Sequence, residues 1–143
     1  MDFNTSAKSE VPHSEHIYMI CQRSGTGVLT LLNGKVILSD GMNPHGAAHW
    51  ACETKSGYLG FRNTAAGCYL SHDGGVNIVT TRNFLPFEMF NISPHRNGGY
   101  MLLSPYYWFA QKKIAIAENG ESLIRHDAAG TAWDFVRVDG KSC

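Results

Sequence analysis

Short apolar runs of three to six residues, separated by Gly, Asn, Asp and Ser, set the texture of the chain from His16 onward. Ile17-Tyr18-Met19-Ile20, Val28-Leu29-Thr30-Leu31, Val36-Ile37-Leu38 and Tyr58-Leu59-Gly60-Phe61 come first. Tyr69-Leu70, Asn77-Ile78-Val79-Thr80, Tyr100-Met101-Leu102-Leu103, Ile114-Ala115-Ile116 and Trp133-Asp134-Phe135-Val136 follow. Runs of this length and composition predict strands, and no stretch keeps a helical period over three turns. Asn33-Gly34, Asp40-Gly41, Asp73-Gly74-Gly75, Asn97-Gly98-Gly99 and Asn119-Gly120 predict tight turns, because both turn residues must tolerate positive φ. The pattern predicts an all-β protein.

The runs repeat. One block opens at Tyr18-Met19-Ile20 and closes on Trp50-Ala51-Cys52; a second opens at Tyr58 and closes on Phe87-Glu88-Met89-Phe90. The third opens at Tyr100 and closes on Trp133-Asp134-Phe135-Val136. Three blocks of about forty residues with four runs each predict about twelve strands, and a threefold repeat of such units is the signature of a β-trefoil. Residues 1–15 lack periodicity and are expected to form a flexible leader. One domain then covers 16–143, with repeats of about 16–56, 57–97 and 98–138. The closing aromatics Trp50, Phe87 and Trp133 are expected at equivalent core positions.

The second block carries a more specific signal in Gly67-Cys68-Tyr69-Leu70, Ser71-His72-Asp73-Gly74, Val76-Asn77-Ile78 and Phe87-Glu88-Met89-Phe90. This succession resembles a fascin-type trefoil repeat. The chain over roughly 16–138 is similar to the small single-domain fascin-like proteins of fungi, and the resemblance implies the β-trefoil fold. It also raises an actin-associated role, but fascin bundles actin with four trefoils and several basic surfaces. A lone domain with 12 Lys+Arg against 12 Asp+Glu is a poor bundler, so actin is not expected as its partner.

Charge balance narrows the partners further. Nucleic-acid binding and attachment to an anionic membrane both rest on a basic surplus, which is missing here. No apolar run is long enough for a membrane helix and no secretory signal is visible, so a cytoplasmic location is expected. Cys21, Cys52, Cys68 and Cys143 are widely spaced without a CxxC pair, which predicts reduced thiols. No dinucleotide fingerprint, phosphate loop or nucleophile elbow is present, and no cofactor is expected. A ricin-type sugar site would bring a Gln-x-Trp triplet in each repeat, and neither Gln22 nor Gln111 begins one.

Candidate chemistry sits in four places. His72-Asp73-Gly74 follows the Tyr69-Leu70 run; it reads either as a plain turn or as a polar pair facing a ligand. His126-Asp127 repeats the dipeptide before the third closing strand, where a surface loop is the simpler reading. Asn43-Pro44-His45-Gly46-Ala47-Ala48-His49 spaces two histidines by four, but Pro and Gly speak against the helix that a metal site of this spacing needs. Pro105-Tyr106-Tyr107-Trp108-Phe109 places four aromatics in a row, and alternation in a strand cannot turn them all inward. Arg62, Arg82, Arg96 and Arg125 fall at turns and strand ends, where solvated surface charges are expected.

These observations favour a non-catalytic recognition module that binds a glycan or a protein partner through its loops. Tyr106, Tyr107, Trp108, His72 and Asp73 are the expected contact residues. The alternative is a small cofactor-free isomerase, cyclase or hydrolase acting on a small apolar molecule, with His72, Asp73, His126 and Asp127 as acid–base groups.

Overall fold

A computed structural model describes residues 9–106, 110–126 and 130–139. Among them are twelve strands: β1 (Ile17–Gln22), β2 (Gly27–Leu32), β3 (Lys35–Asp40), β4 (Trp50–Lys55), β5 (Tyr58–Asn63) and β6 (Tyr69–His72). The others are β7 (Ile78–Thr81), β8 (Asn91–Pro94), β9 (Tyr100–Tyr106), β10 (Ala110–Ile116), β11 (Leu123–His126) and β12 (Trp133–Arg137). The only helical element described is a single 3₁₀ turn, Pro86–Glu88. The protein is all-β, and no described helix is long and apolar enough to cross a membrane.

Pairing is antiparallel throughout, and the main path runs β11-β10-β9-β12-β1-β4-β5-β6-β7, with β2 and β3 branching from β1 and β8 from β9. Hairpins β10–β11 and β6–β7 form the two ends of this path, and a third, β2–β3, branches from it at β1. Lone bridges add Leu59 to Phe90, Ile37 to Ser122 and Asn77 to Ile124. The first carries two backbone hydrogen bonds, of 2.9 and 2.8 Å. The turn chemistry follows the sequence. Asn33 and Gly34 join β2 to β3 at φ 52° and 78°, and Ser56 and Gly57 join β4 to β5 at φ 54° and 83°. Two-residue loops with both φ positive match the right-handed twist of the strands they connect.

One main core gathers residues from nearly every strand, among them Tyr18, Leu29, Trp50, Phe61, Leu70, Phe90, Ile114, Trp133 and Phe135. Trp50 and Trp133 are fully buried, and their indole N–H groups donate to the carbonyls of Leu29 and Ile114, at 3.1 and 3.4 Å. Each thus ties a closing strand to the hairpin of its own block. The second block departs from expectation: Phe87 is 47% exposed, and the fully buried ring is Phe90. The reason is local. Pro86 starts a 3₁₀ turn that carries Phe87 over the surface while burying Glu88, and the next ring to turn inward is Phe90. The buried rings Trp50, Phe90 and Trp133 then recur with a period of about forty residues.

Before β1, the Glu10 N–H donates to the Phe135 carbonyl, the His13 N–H to the Tyr18 hydroxyl, and the Glu15 N–H to the Cys52 carbonyl. Residues 9–15 therefore lie along β12, β1 and β4. The described cysteines, Cys21, Cys52 and Cys68, are free thiols. Burial pushes Cys21 up to about 11 and Cys52 up to about 12, so both stay protonated and inert at neutral pH.

Phe90→Ala is expected to cost about 3–5 kcal/mol, the usual loss for a buried Phe, and Phe87→Ala less than half of that. Urea unfolding of the two variants checks this; equal losses would mean that Phe87 shares the core role.

Candidate functional site

The turn after β6 is built by its own polar atoms. Asp73 Oδ1 accepts from the Gly75 N–H at 2.8 Å and its Oδ2 from Asn77 Nδ2 at 2.9 Å, which closes an Asx turn around Gly74 at φ 87°. These bonds, led by the one from Asn77, hold the exposed Asp73 carboxyl below its ordinary value. Beneath the turn His72 is buried, with its ring stacked on Phe87 at 4.2 Å between centroids. Its Nδ1 accepts from the Gly74 N–H at 3.0 Å. Asp73 therefore braces the turn, and the two side chains form no hydrogen-bonded pair.

Arg125 of β11 completes this cluster, and it differs from the solvated cation expected there. It is buried, donates through Nε and NH2 to the Gly75 carbonyl at 2.8 and 2.6 Å, and reaches Ser104 Oγ at 3.3 Å through NH1. The same NH1 lies 3.3 Å from His72 Nε2. A neutral imidazole has one bare nitrogen, yet donors approach both of its nitrogens, so a further proton finds no acceptor. Burial first, then the Arg125 charge, push His72 down to about 4, against a smaller pull upward from Glu88 and Asp73. The ring is neutral at physiological pH and already occupied. That suits a structural strut better than a general base tuned near neutrality.

His126, the next residue of β11, is exposed and pairs in register with Lys113, so alternation puts it on the opposite face from Arg125 and away from His72. Asp127 lies outside the described residues. β9 passes the cluster at Ser104 and ends at Tyr106, paired with Ala110; Tyr107 and Trp108 also lie outside the described residues. In the 43–49 loop, Asn43 Oδ1 accepts from the His45 N–H at 2.8 Å. Among the described residues no three His, Cys, Asp or Glu side chains converge as metal ligands would.

Phe87, which the sequence places in the core, is instead the most exposed aromatic among the described residues of this region. Glu88 fixes its backbone: the buried carboxylate accepts from the Leu85 N–H at 2.6 Å and from the Ser71 hydroxyl. Phe84 anchors the same loop at its other end, stacked on Tyr69 at 5.3 Å. Its ring lies over Gly60, where a Cβ would sit 2.5 Å from it, so only glycine admits this contact.

A second polar group lies on the outer face of β4, β5 and β6. Arg62 Nε donates to Glu53 Oε2 at 2.8 Å and the Tyr69 hydroxyl to Glu53 Oε1 at 2.7 Å. Burial pushes the Glu53 carboxyl up, but the bonds from Arg62 and Tyr69 and the Arg62 charge outweigh it and hold it below its ordinary value. Glu53 and Arg62 line an open cleft of about 480 Å³ together with Ser14, Glu15 and Thr54. Sequence reasoning missed this group. Its members are spread over three strands, and only their alternation toward one face could have signalled it.

The fold defines an all-β domain of a type found inside a larger glycan-directed enzyme. The chain is similar in structure to the GlcNAcα1-4Gal-releasing endo-β-galactosidase from Clostridium perfringens, with a TM-score of 0.74 at 18% sequence identity. The likeness covers 90% of this chain and 34% of that one, so the chain spans about a third of the enzyme's length. At that identity the likeness speaks for the fold alone. No protein-family profile matches the chain, and no curated protein does.

The histidine cluster yields a pH dependence. An unfolded imidazole takes its proton near pH 6.5, whereas folded His72 waits until about 4. Between these values the unfolded state holds the extra proton, so stability falls as pH drops through this window, by roughly 3 kcal/mol in full. NMR titration of the imidazole, assigned with His72→Gln, should give a midpoint near 4, and the variant should lose most of the slope of stability with pH. A midpoint near 6.5 would mean that the ring is accessible to solvent.

Proposed function

We propose that the chain is a β-trefoil domain that recognises a glycan without chemically altering it. For the trefoil, the supporting feature is the cycle of pairings β1–β4, β4–β5, β8–β9, β9–β12 and β12–β1. The Leu59–Phe90 bridge fills the step between β5 and β8. The three hairpins meet through Ile37–Ser122 and Asn77–Ile124, and each block contributes one buried closing ring. The fascin-like resemblance of the second block agrees with this arrangement.

The observation that carries glycan recognition is the exposed Phe87 ring, clamped against His72 beside the Asp73–Asn77 turn. A sugar offers an apolar C–H face and an equatorial rim of hydroxyls. A rigid aromatic face takes the first, and a fixed carboxylate and amide take the second. Asp73 and Asn77 are already held in place, so binding costs little of their side-chain entropy. We include Tyr106, Tyr107 and Trp108 in the contact surface, since Ser104 of β9, two residues before Tyr106, accepts from the same Arg125 NH1 that lies against His72. His72 then supports the platform from below. Likeness to part of an enzyme named for releasing a disaccharide from glycans adds support from fold analogy alone.

A glycan-array screen of the wild-type protein with Phe87→Ala, Asp73→Asn and Trp108→Ala tests the proposal. Selective binding is expected for the wild type. Removing the Phe87 platform should weaken it about tenfold or more, equivalent to roughly 1.4 kcal/mol, with a near-normal melting temperature. A wild-type protein that binds no glycan, or a Phe87→Ala variant that binds undiminished, defeats it.

A further inference from the structure

We propose that the open cleft between the Ser14–Glu15 segment and strands β4 and β5 is a second saccharide subsite, selective for neutral over acidic glycans. This inference rests on the glycan-recognition reading above but uses different residues on a different face.

Three observations converge on the cleft. The first is its size: about 480 Å³ falls in the range of small-molecule sites. The second is its chemistry. Arg62 spends Nε on Glu53 and approaches the Tyr69 hydroxyl, which leaves most of its five N–H donors uncommitted among the described residues. Glu53, Glu15, Ser14 and Thr54 supply acceptors and hydroxyls around it. A sugar hydroxyl donates and accepts at once, so a lining that mixes both capacities at fixed positions matches a polyol. The third is backbone strain. Glu15 has a φ of 73°, and its N–H is tied to the Cys52 carbonyl at 2.9 Å. Glycine or asparagine adopts that conformation at lower cost. The bond to Cys52 holds Glu15 in that conformation and so fixes this segment as a rigid rim of the cleft.

Charge fixes the selectivity. Two carboxylates, Glu15 and Glu53, face one guanidinium, so the lining is net negative and repels sialylated or sulfated rings. Arg62, bonded to Glu53 within the same lining, disfavours a metal cation. Nothing in the cleft does covalent chemistry: the Cys52 thiol is buried and protonated, and Glu53 is engaged by two donors. A retaining or inverting glycosidase needs one of its two carboxyls in an apolar, desolvated setting to act as the acid. Glu15 is exposed.

The test is a panel of neutral and of sialylated or sulfated glycans, arrayed against wild type, Phe87→Ala, Arg62→Met, Arg62→Lys, Glu15→Gln and the double variant Phe87→Ala/Arg62→Met, each checked by thermal melting. Phe87→Ala should keep residual binding to neutral glycans, and the double variant should lose it. Arg62→Lys keeps the charge but not the planar fork; it should weaken binding at least fivefold while staying folded. Acidic glycans should bind at least tenfold more weakly than neutral ones, and Glu15→Gln should narrow that gap. Acidic glycans bound as tightly as neutral ones, Arg62 variants indistinguishable from wild type, or release of a hydrolysed sugar would each overturn the cleft assignment. If Phe87→Ala alone abolishes binding and the Arg62 variants change nothing, the cleft fails and the Phe87 site stands. Absence of binding throughout the panel removes both.

Discussion

The ring of Phe135 is the contact on which the architecture depends. It stands against Tyr18 of β1 at 6.3 Å, Phe61 of β5 at 5.7 Å and Tyr100 of β9 at 6.2 Å between centroids. Each of those residues opens or belongs to the first long strand of one block. Strands of four to seven residues are too short to persist as isolated hairpins in water. They hold here because their inward side chains share one aromatic centre, and Trp50, Phe90 and Trp133 add further buried area around it. Once the centre supplies cohesion, outward positions on β4, β5 and β6 can carry Glu53, Arg62 and Tyr69 instead of apolar residues.

A second constraint operates between the hairpins, and it is polar. Ser71, His72, Glu88, Ser104 and Arg125 are all buried, and burying such groups is costly unless they bond to one another. Arg125 meets this condition by donating twice to the Gly75 carbonyl, so a cation on β11 holds the turn of the β6–β7 hairpin. Geometry so crowded with donors leaves His72 neutral and inaccessible. The same crowding that removes it from acid–base duty makes it a firm base for Phe87.

Much of the fold was legible in the sequence because strand runs and Asn-Gly turns are local signals. The Asn33-Gly34 hairpin could be read directly; Ser56-Gly57, which makes an equivalent turn, lacks the dipeptide that announces it. The closing rings Trp50 and Trp133 were readable as core for the same reason, since each stands at the start of an apolar run. Phe87 was not. Its run contains two aromatics three apart, and only the 3₁₀ turn begun by Pro86 decides that Phe90 goes in and Phe87 stays out. Arg125 and Arg62 were equally opaque, because whether an arginine is solvated or buried depends on partners fifty or nine residues away in the chain. The site is legible as far as a turn with His72 and Asp73; the division of labour between them is a property of packing.

The loop 84–88 ties the two polar regions into one mechanical unit. At one end Phe84 lies on Tyr69, whose hydroxyl bonds Glu53 in the cleft; at the other Phe87 lies on His72 below the Asp73 turn. Lys55 adds a bond from Nζ to the Phe84 carbonyl at 2.7 Å. Directly after Phe87, the buried Glu88 carboxylate accepts from the Leu85 N–H and the Ser71 hydroxyl, which fixes the backbone on both sides of the Phe87 ring. A loop pinned at three points presents its aromatic face with little conformational freedom left to lose. Preorganisation of that kind raises affinity for a weakly held ligand such as a sugar without adding any contact. It also means that the loop touches β6 at both ends, at Tyr69 beside the cleft and at His72 below the Asp73 turn, so the two surfaces share one strand as their common support.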